Sequence, residues 1–172
     1  FNPITNTVYV VRLSGPAWDE VTYVNGNNDS YYSIATQSFQ PIAMAVNPVN
    51  DRIYVAHYAT GAVRVISGAY SGNDHPATTS IGVWSRPFAI AANPVTDRVY
   101  VITEDARGPI AVIDGATNTA TFLPVASGHA VGPKAIALNT VTNKVYAAFH
   151  NMGDWRGPSG KIQVMPSGQP SK

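Results

Sequence analysis

The residues of this 172-residue chain that could do chemistry are four histidines, three tryptophans and a few clustered charges. A metal site needs closely spaced ligands such as HxxH or HExxH, and His57, His75, His129 and His150 stand in no such pattern. Cysteine is absent, which excludes disulfides, thiolate nucleophiles and thiolate metal sites. GxSxG, P-loop and GxGxxG motifs are also absent. The sequence therefore predicts no catalytic residue, no metal ligand and no cofactor.

The aromatic and charged side chains instead indicate binding. Tryptophan and arginine on loops concentrate binding energy, because they bury a large area at a modest entropy cost. We therefore predict five anchors for a partner: Trp18, His57, Trp84, Arg107 and Trp155. Each has a simpler structural interpretation. The histidine can be an ordinary surface residue, the tryptophans can fill gaps between sheets, and "EDARG" and "GDWRG" can be turns with local Asp–Arg pairs.

The charge balance excludes some partners. Eleven basic and ten acidic residues leave a net charge of +1, and only 12% of residues are charged. This gives no basic surface of the kind that binds nucleic acid. No apolar run approaches the roughly 18 residues of a membrane span, so membrane insertion is not expected either.

A repeated segment determines the fold class. "NPITNTVYV" at 2–10 returns as "NPVNDRIYV" at 47–55, "NPVTDRVYV" at 93–101 and "NTVTNKVYA" at 139–147, 45 or 46 residues apart. Prolines at 41, 87 and 133 keep the same period. Such a period is typical of repeat architectures, including β-propellers with four strands in each blade.

The pattern within one repeat is strand-like throughout. The third repeat has apolar runs at 87–92, 98–102, 109–113 and 119–125, with the turn sequences "NPVTD" and "DGATN" after the first and third. We predict an all-β single domain over 1–172, a β-propeller segment of four-stranded antiparallel blades. Its four repeats cover about 1–40, 41–86, 87–132 and 133–172. We expect Tyr54, Tyr100 and Tyr146 to be largely buried between blades, and Asn47 and Asn93 to form hydrogen bonds within their own turns.

The repeat resembles the YVTN-type β-propeller family of surface-layer-associated and exported proteins. The resemblance rests on "PFAIAANPVTDRVYV" and "VIDGATNT" in the third repeat and covers nearly the whole chain. The second repeat has "SGAYSGND" in place of the Asp-Gly-Ala-Thr turn, and the fourth has Thr140 in place of proline. The resemblance implies a structural repeat and an extracellular, cell-surface or periplasmic location.

The strand count indicates an open ring. The first repeat begins at its second strand and the fourth ends after its third, so the first blade lacks its innermost strand and the fourth its outermost. We expect either a segment of a longer propeller of six to eight blades, or a chain that another copy or another chain completes.

Two classes of function fit this fold. The leading hypothesis is a non-catalytic binding or structural scaffold that presents its irregular loops, opposite the uniform "NPVTD" turns, to a protein or glycan. The alternative is part of a propeller enzyme, such as a lactonase, a lyase or a cofactor-dependent oxidoreductase, with residues of several blades meeting at the axis. Fold alone does not decide between them.

Overall fold

A computed structural model describes residues 1–12, 19–38, 40–67, 76–104, 110–123, 133–150 and 160–166. Within these ranges the chain forms strands and turns and contains no helix, which confirms the predicted all-β class. It follows that the described ranges hold no helix long and apolar enough to cross a membrane.

The fourteen strands of the described ranges form four antiparallel sheets, in which neighbours in sequence are also neighbours in the sheet. Sheet 1 contains β1 (Thr7–Arg12), β2 (Glu20–Asn25) and β3 (Tyr31–Ala35); sheet 2 contains β4 (Pro41–Asn47), β5 (Arg52–His57), β6 (Ala62–Ser67) and β7 (Ala77–Gly82); sheet 3 contains β8 (Pro87–Asn93), β9 (Arg98–Thr103), β10 (Ile110–Asp114) and β11 (Thr119–Leu123); sheet 4 contains β12 (Pro133–Asn139), β13 (Lys144–His150) and β14 (Gly160–Pro166).

The periodic prolines mark the first strand of sheets 2, 3 and 4. Strands β4, β8 and β12 begin at Pro41, Pro87 and Pro133, and each has a register shift directly after the proline. Proline lacks the N–H that a strand ladder needs, so the first residue of a strand or a bulge is where a sheet tolerates it. The period in the sequence is therefore the period of the sheets.

The core consists of three apolar layers, one between each pair of consecutive sheets. Tyr54 and Tyr100 are buried in these layers, as predicted from the repeat. The same prediction was wrong for Tyr146 in sheet 4, which is only half-buried because no described sheet covers it. Each inner sheet is thus apolar on both faces and packs against a neighbour on each side.

The Asn that opens the repeated turn in sheets 1, 2 and 3 makes two kinds of hydrogen bond. Its side-chain oxygen accepts from its own turn, as predicted: Val49 N donates to Asn47 Oδ1 at 3.1 Å and Val95 N to Asn93 Oδ1 at 3.0 Å. The side-chain nitrogen of Asn47 donates to Asp97 Oδ1 in the next sheet at 2.7 Å. The turn therefore closes a hairpin and also joins two sheets.

This inter-sheet bond recurs along the stack. Asn2 Nδ2 donates to Asp51 Oδ1 at 2.7 Å, and Asn93 Nδ2 donates to Asn143 Oδ1 at 3.2 Å. The acceptor always ends the turn of the following sheet in the left-handed conformation, with φ of 50–51° at Asp51, Asp97 and Asn143. Asn and Asp tolerate that conformation better than other residues with a side chain. We call each such bond an Asn clamp.

The outer sheets are incomplete in the described residues, as the strand count predicted. Tyr9 in β1 and Tyr54 in β5 hold the same repeat position, so sheet 1 contains no described equivalent of β4. By the same register, β14 corresponds to β6, and sheet 4 contains no described equivalent of β7.

Candidate binding face

Hydrogen bonds place the irregular loops along one edge of the sheets. The segment after β5 meets the connection between sheets 2 and 3, where Val83 N donates to Gly61 O at 2.9 Å. Tyr58 N donates to Gln40 O and Glu104 N donates to Arg86 O in the same way. We call this edge, with residues 36–38, 40, 57–61, 83–86 and 104, the loop edge. The "NPVTD"-type turns lie at the opposite ends of the same strands and form the turn edge.

Trp84 is the most exposed aromatic residue of the described loop edge, with 77% of its surface accessible. Its backbone is left-handed, with φ of 67°. The indole lies flat on Phe122 of β11, with ring centroids 3.7 Å apart and an interplanar angle of 16°. Stacked rings of this kind attract each other beyond their burial of area. One face of the indole is thus held by sheet 3, while most of the side chain stays open to solvent.

A polar network connects sheets 2 and 3 at the loop edge. Tyr58 Oη donates to Glu104 Oε2 at 2.9 Å, and Arg86 Nη1 donates to Tyr58 Oη at 3.4 Å. The guanidinium carbon of Arg86 also lies 5.1 Å from the centroid of the Tyr58 ring, within the range of a cation–π contact. Arg86 and Glu104 are exposed. The network therefore fixes a cation, an anion and an aromatic ring in one accessible group.

A small polar cavity of about 150 Å³ lies between sheets 1 and 2 at this edge. His57, the last residue of β5, is buried beside it. Arg64 Nε donates to Thr36 O at 2.7 Å and Nη2 to Gln37 Oε1 at 3.0 Å, which ties β6 to the connection between the two sheets. The cavity is lined by Gln37, Ser38, His57, Thr60, Ala62, Arg64 and Ser80.

The structure describes two of the five predicted anchors. Trp84 and His57 both lie at the loop edge, but Trp84 is exposed and His57 is buried. Trp18, Arg107 and Trp155 lie outside the described residues. The binding role of all five stays a prediction. Within the described ranges, no three His, Asp or Glu residues lie close enough together to hold a metal ion.

Sequence reasoning missed the central residue of the polar network. Tyr58 directly follows β5 and Glu104 directly follows β9, so the two residues occupy the same position in successive repeats. Aligning the repeats on their tyrosines would have placed them one sheet apart at the same edge. The period of the repeat already pairs Tyr58 with Glu104, whereas the predicted anchors are all tryptophan, histidine or arginine.

Comparison with known proteins bears on the fold. No protein-family model and no curated protein matches the chain. Among solved structures it is similar to Kuenenia stuttgartiensis hydrazine synthase, with a TM-score of 0.74 and 21% identity over 94% of this chain and 44% of that chain. It is also similar to a functionally unknown protein from Desulfotomaculum acetoxidans DSM 771, with a TM-score of 0.69 and 16% identity over 96% of this chain and 53% of that chain. The chain spans about half the length of these structures. At such identities the likeness shows a shared fold alone.

Proposed function

We propose that the four sheets are blades of a β-propeller and that the chain is a non-catalytic binding scaffold, located at the cell surface or in another exported compartment. Three observations support the propeller: the period of the repeat, the sheets that are apolar on both faces, and the apolar layer between every consecutive pair. The partner is a protein or a glycan, and it contacts the loop edge.

The observation that carries this proposal is the orientation of Trp84. An exposed indole loses little entropy on binding when its orientation is already set, and here Phe122 holds one of its faces. The open face can stack on the apolar side of a sugar ring or on an apolar side chain. Arg86, two residues further along the same connection, adds a cation and hydrogen-bond donors beside a carboxylate. The described "NPVTD"-type turns of the turn edge offer no comparable group, because they are nearly the same in every repeat.

Arrays of glycans and of peptides, probed with the labelled chain, test the proposal. We expect binding that Trp84→Ala weakens by at least about tenfold, since a truncated anchor of this type costs 1–2 kcal/mol or more. Val95→Ala is the matched control, because Val95 is also an exposed apolar residue but lies on the turn edge. Both variants must give the circular dichroism spectrum of the parent. Binding that survives Trp84→Ala and disappears with Val95→Ala would show that the partner contacts the turn edge and not the loop edge.

The enzyme alternative has its own test. One of the similar proteins, hydrazine synthase, is an enzyme by its name, so a part of a lactonase, lyase or oxidoreductase is the second candidate. Elemental and absorbance analysis of the purified protein separates the two hypotheses. Stoichiometric metal, haem or quinone would overturn the non-catalytic scaffold.

A further inference from the structure

The two outer faces of the stack are apolar and exposed, and each corresponds to a face that is buried inside the stack. The exit face belongs to sheet 4 and consists of Tyr146, Ile162 and Val164. Ile162 is 71% and Val164 51% exposed. By their pairing with β13, Ile162 holds the repeat position of Val63 and Val164 that of Val65 in sheet 2. Both of those valines are buried against sheet 3.

The entry face is the opposite surface, on sheet 1, and consists of Val8, Val10, Thr22 and Val24. Val8 is 41% and Val10 48% exposed. The residues at the same repeat positions in the other sheets are buried against the preceding sheet: Ile53 and Val55 in sheet 2, Val99 and Val101 in sheet 3, Val145 and Ala147 in sheet 4.

Charge does not oppose the burial of the entry face. Arg12 and Glu20, at its edge, lie opposite each other in β1 and β2, and their side chains form an ion pair of 2.6 Å. The formal charges of this pair cancel, so a partner covering the valines meets no net charge there.

The exit face carries a cation at its turn end, since the exposed Lys144 lies on the same side of β13 as Tyr146. A cation at this position is compatible with packing, because Arg52, its equivalent in sheet 2, donates to Gly115 O in sheet 3.

Each of the two outer faces also carries one half of an Asn clamp. Asn139 accepts from Val141 N in its own turn at 3.0 Å, as the other clamp residues do, but it is exposed where Asn2, Asn47 and Asn93 are buried. At the entry face, Asn6 ends the first turn in the acceptor position, with φ of 52° like its three equivalents. The exit face therefore carries a clamp donor and the entry face a clamp acceptor.

We propose that the exit face of one copy binds the entry face of a second copy of this chain, with Asn139 donating to Asn6 of the second copy. The three interfaces inside the stack provide the template, because each joins these two kinds of face. Two copies bring eight sheets, which lies within the usual range of about four to eight blades. The similar structures are about twice as long as the matched part, so two copies also supply a comparable length of chain. The pairing of faces stands without the proposed propeller, whereas closure into a ring rests on it.

Sedimentation velocity and light scattering test the pairing. We expect the parent chain at twice its mass of 18.3 kDa. Val164→Lys on the exit face and Val10→Lys on the entry face should each weaken self-association by about 100-fold or more, since each places an unpaired charge in an apolar interface. Val95→Lys on the turn edge is the control and should leave the parent mass unchanged. All three residues are exposed in a single copy, so circular dichroism should show the parent fold in each variant.

Mixing the two face variants is the decisive experiment. Each retains one intact face, so an equimolar mixture of Val164→Lys and Val10→Lys should form a two-copy complex although neither variant does so alone. A parent chain that stays monomeric at every concentration would overturn the proposal, as would a mixture that stays monomeric. Parent assemblies that grow beyond two copies, while the mixture stops at two, would support the pairing of faces and overturn closure into a ring.

Discussion

The Asn47 clamp can be tested by changing one heavy atom. In Asn47→Asp the side chain keeps an oxygen for Val49 N, so the hydrogen bond within its own turn survives. The amide nitrogen that donates to Asp97 Oδ1 at 2.7 Å becomes a second carboxylate oxygen. Asn47 is fully buried, so water cannot separate the two groups. The variant thus removes the Asn47 bond between the sheets and leaves the turn intact, while Asn50 Nδ2 still donates to Asp97 Oδ1 at 2.7 Å.

The cost follows from proton uptake. Two carboxylates in contact cannot both stay ionised, so the folded variant takes up a proton that the two groups share. For a group with an ordinary pKa of about 3.9, holding that proton at pH 7 costs about 4 kcal/mol. The shared proton makes a new hydrogen bond, which offsets most of the charge-assisted bond that is lost, itself worth about 1.5–3 kcal/mol. We expect the free energy of unfolding to fall by about 4 kcal/mol at pH 7, a large part of a typical total of about 5–15 kcal/mol.

The pH dependence identifies the mechanism. The carboxyl pair of the variant has a raised pKa in the folded state, so its stability is intact below the unfolded pKa and is lost as the pH rises through the folded value. The difference from the parent should therefore shrink by about 1.4 kcal/mol for each pH unit below 7 and nearly vanish close to pH 4. Urea unfolding followed by circular dichroism at several pH values measures it.

Two further Asp variants serve as controls. Asn93→Asp faces the amide of Asn143, which can turn its NH₂ toward the new carboxylate, so we expect less than half the cost. Asn139 is exposed, so Asn139→Asp should leave the free energy of unfolding almost unchanged. Equal losses in all three variants would refute the clamp, because the three residues differ in their inter-sheet partner and share only the turn, whose hydrogen bond each variant keeps.

Two other predictions concern packing and titration. A Cβ on Gly115 would overlap the Asp97 carboxylate, whereas one on Gly82 would meet nothing within 4 Å; Gly115→Ala should therefore cost about 1–3 kcal/mol in urea unfolding and Gly82→Ala almost nothing, and equal effects would contradict the close approach. Burial, the largest cause in each case, raises the pKa of Tyr9, Tyr23 and Tyr54. Because their folded pKa values are raised, the stability they contribute is complete below about pH 10 and is lost as the pH rises from there toward those values. Tyrosinate absorbance should then appear together with unfolding, and full ionisation of all tyrosines in a folded chain would refute this.

Local patterns in the sequence predicted the strands, the start of each repeat at its proline, and the burial of Tyr54 and Tyr100, since each depends on residues that are close together in the chain. The Asn clamp was not predicted, because it joins residues 49 or 50 positions apart. A hydrogen-bonding Asn in a turn already had a sufficient local explanation. Only the packing of one sheet on the next shows that its side-chain nitrogen has a separate partner.

The candidate site was less predictable for a related reason. The sequence around His57 predicts a loop, but β5 extends as far as His57. Strand alternation then turns its side chain toward sheet 1, together with those of Ile53 and Val55. Trp84 was predicted correctly as a residue of the loop edge. Its contact with Phe122 depends on how the connection between sheets 2 and 3 packs on β11, which local composition does not encode.

The Asn clamp also bears on how a chain of this kind can change length. Donor and acceptor stand four residues apart in one turn, as Asn47 and Asp51 do, so every unit of 45 or 46 residues carries a donor for its successor and an acceptor for its predecessor. A gene duplication that copies one unit therefore copies both halves of the bond. Removing residues 47–92 would leave Asn2 facing Asp97 across the new junction, again as donor to acceptor. Gain or loss of whole units thus needs no compensating substitution at this contact.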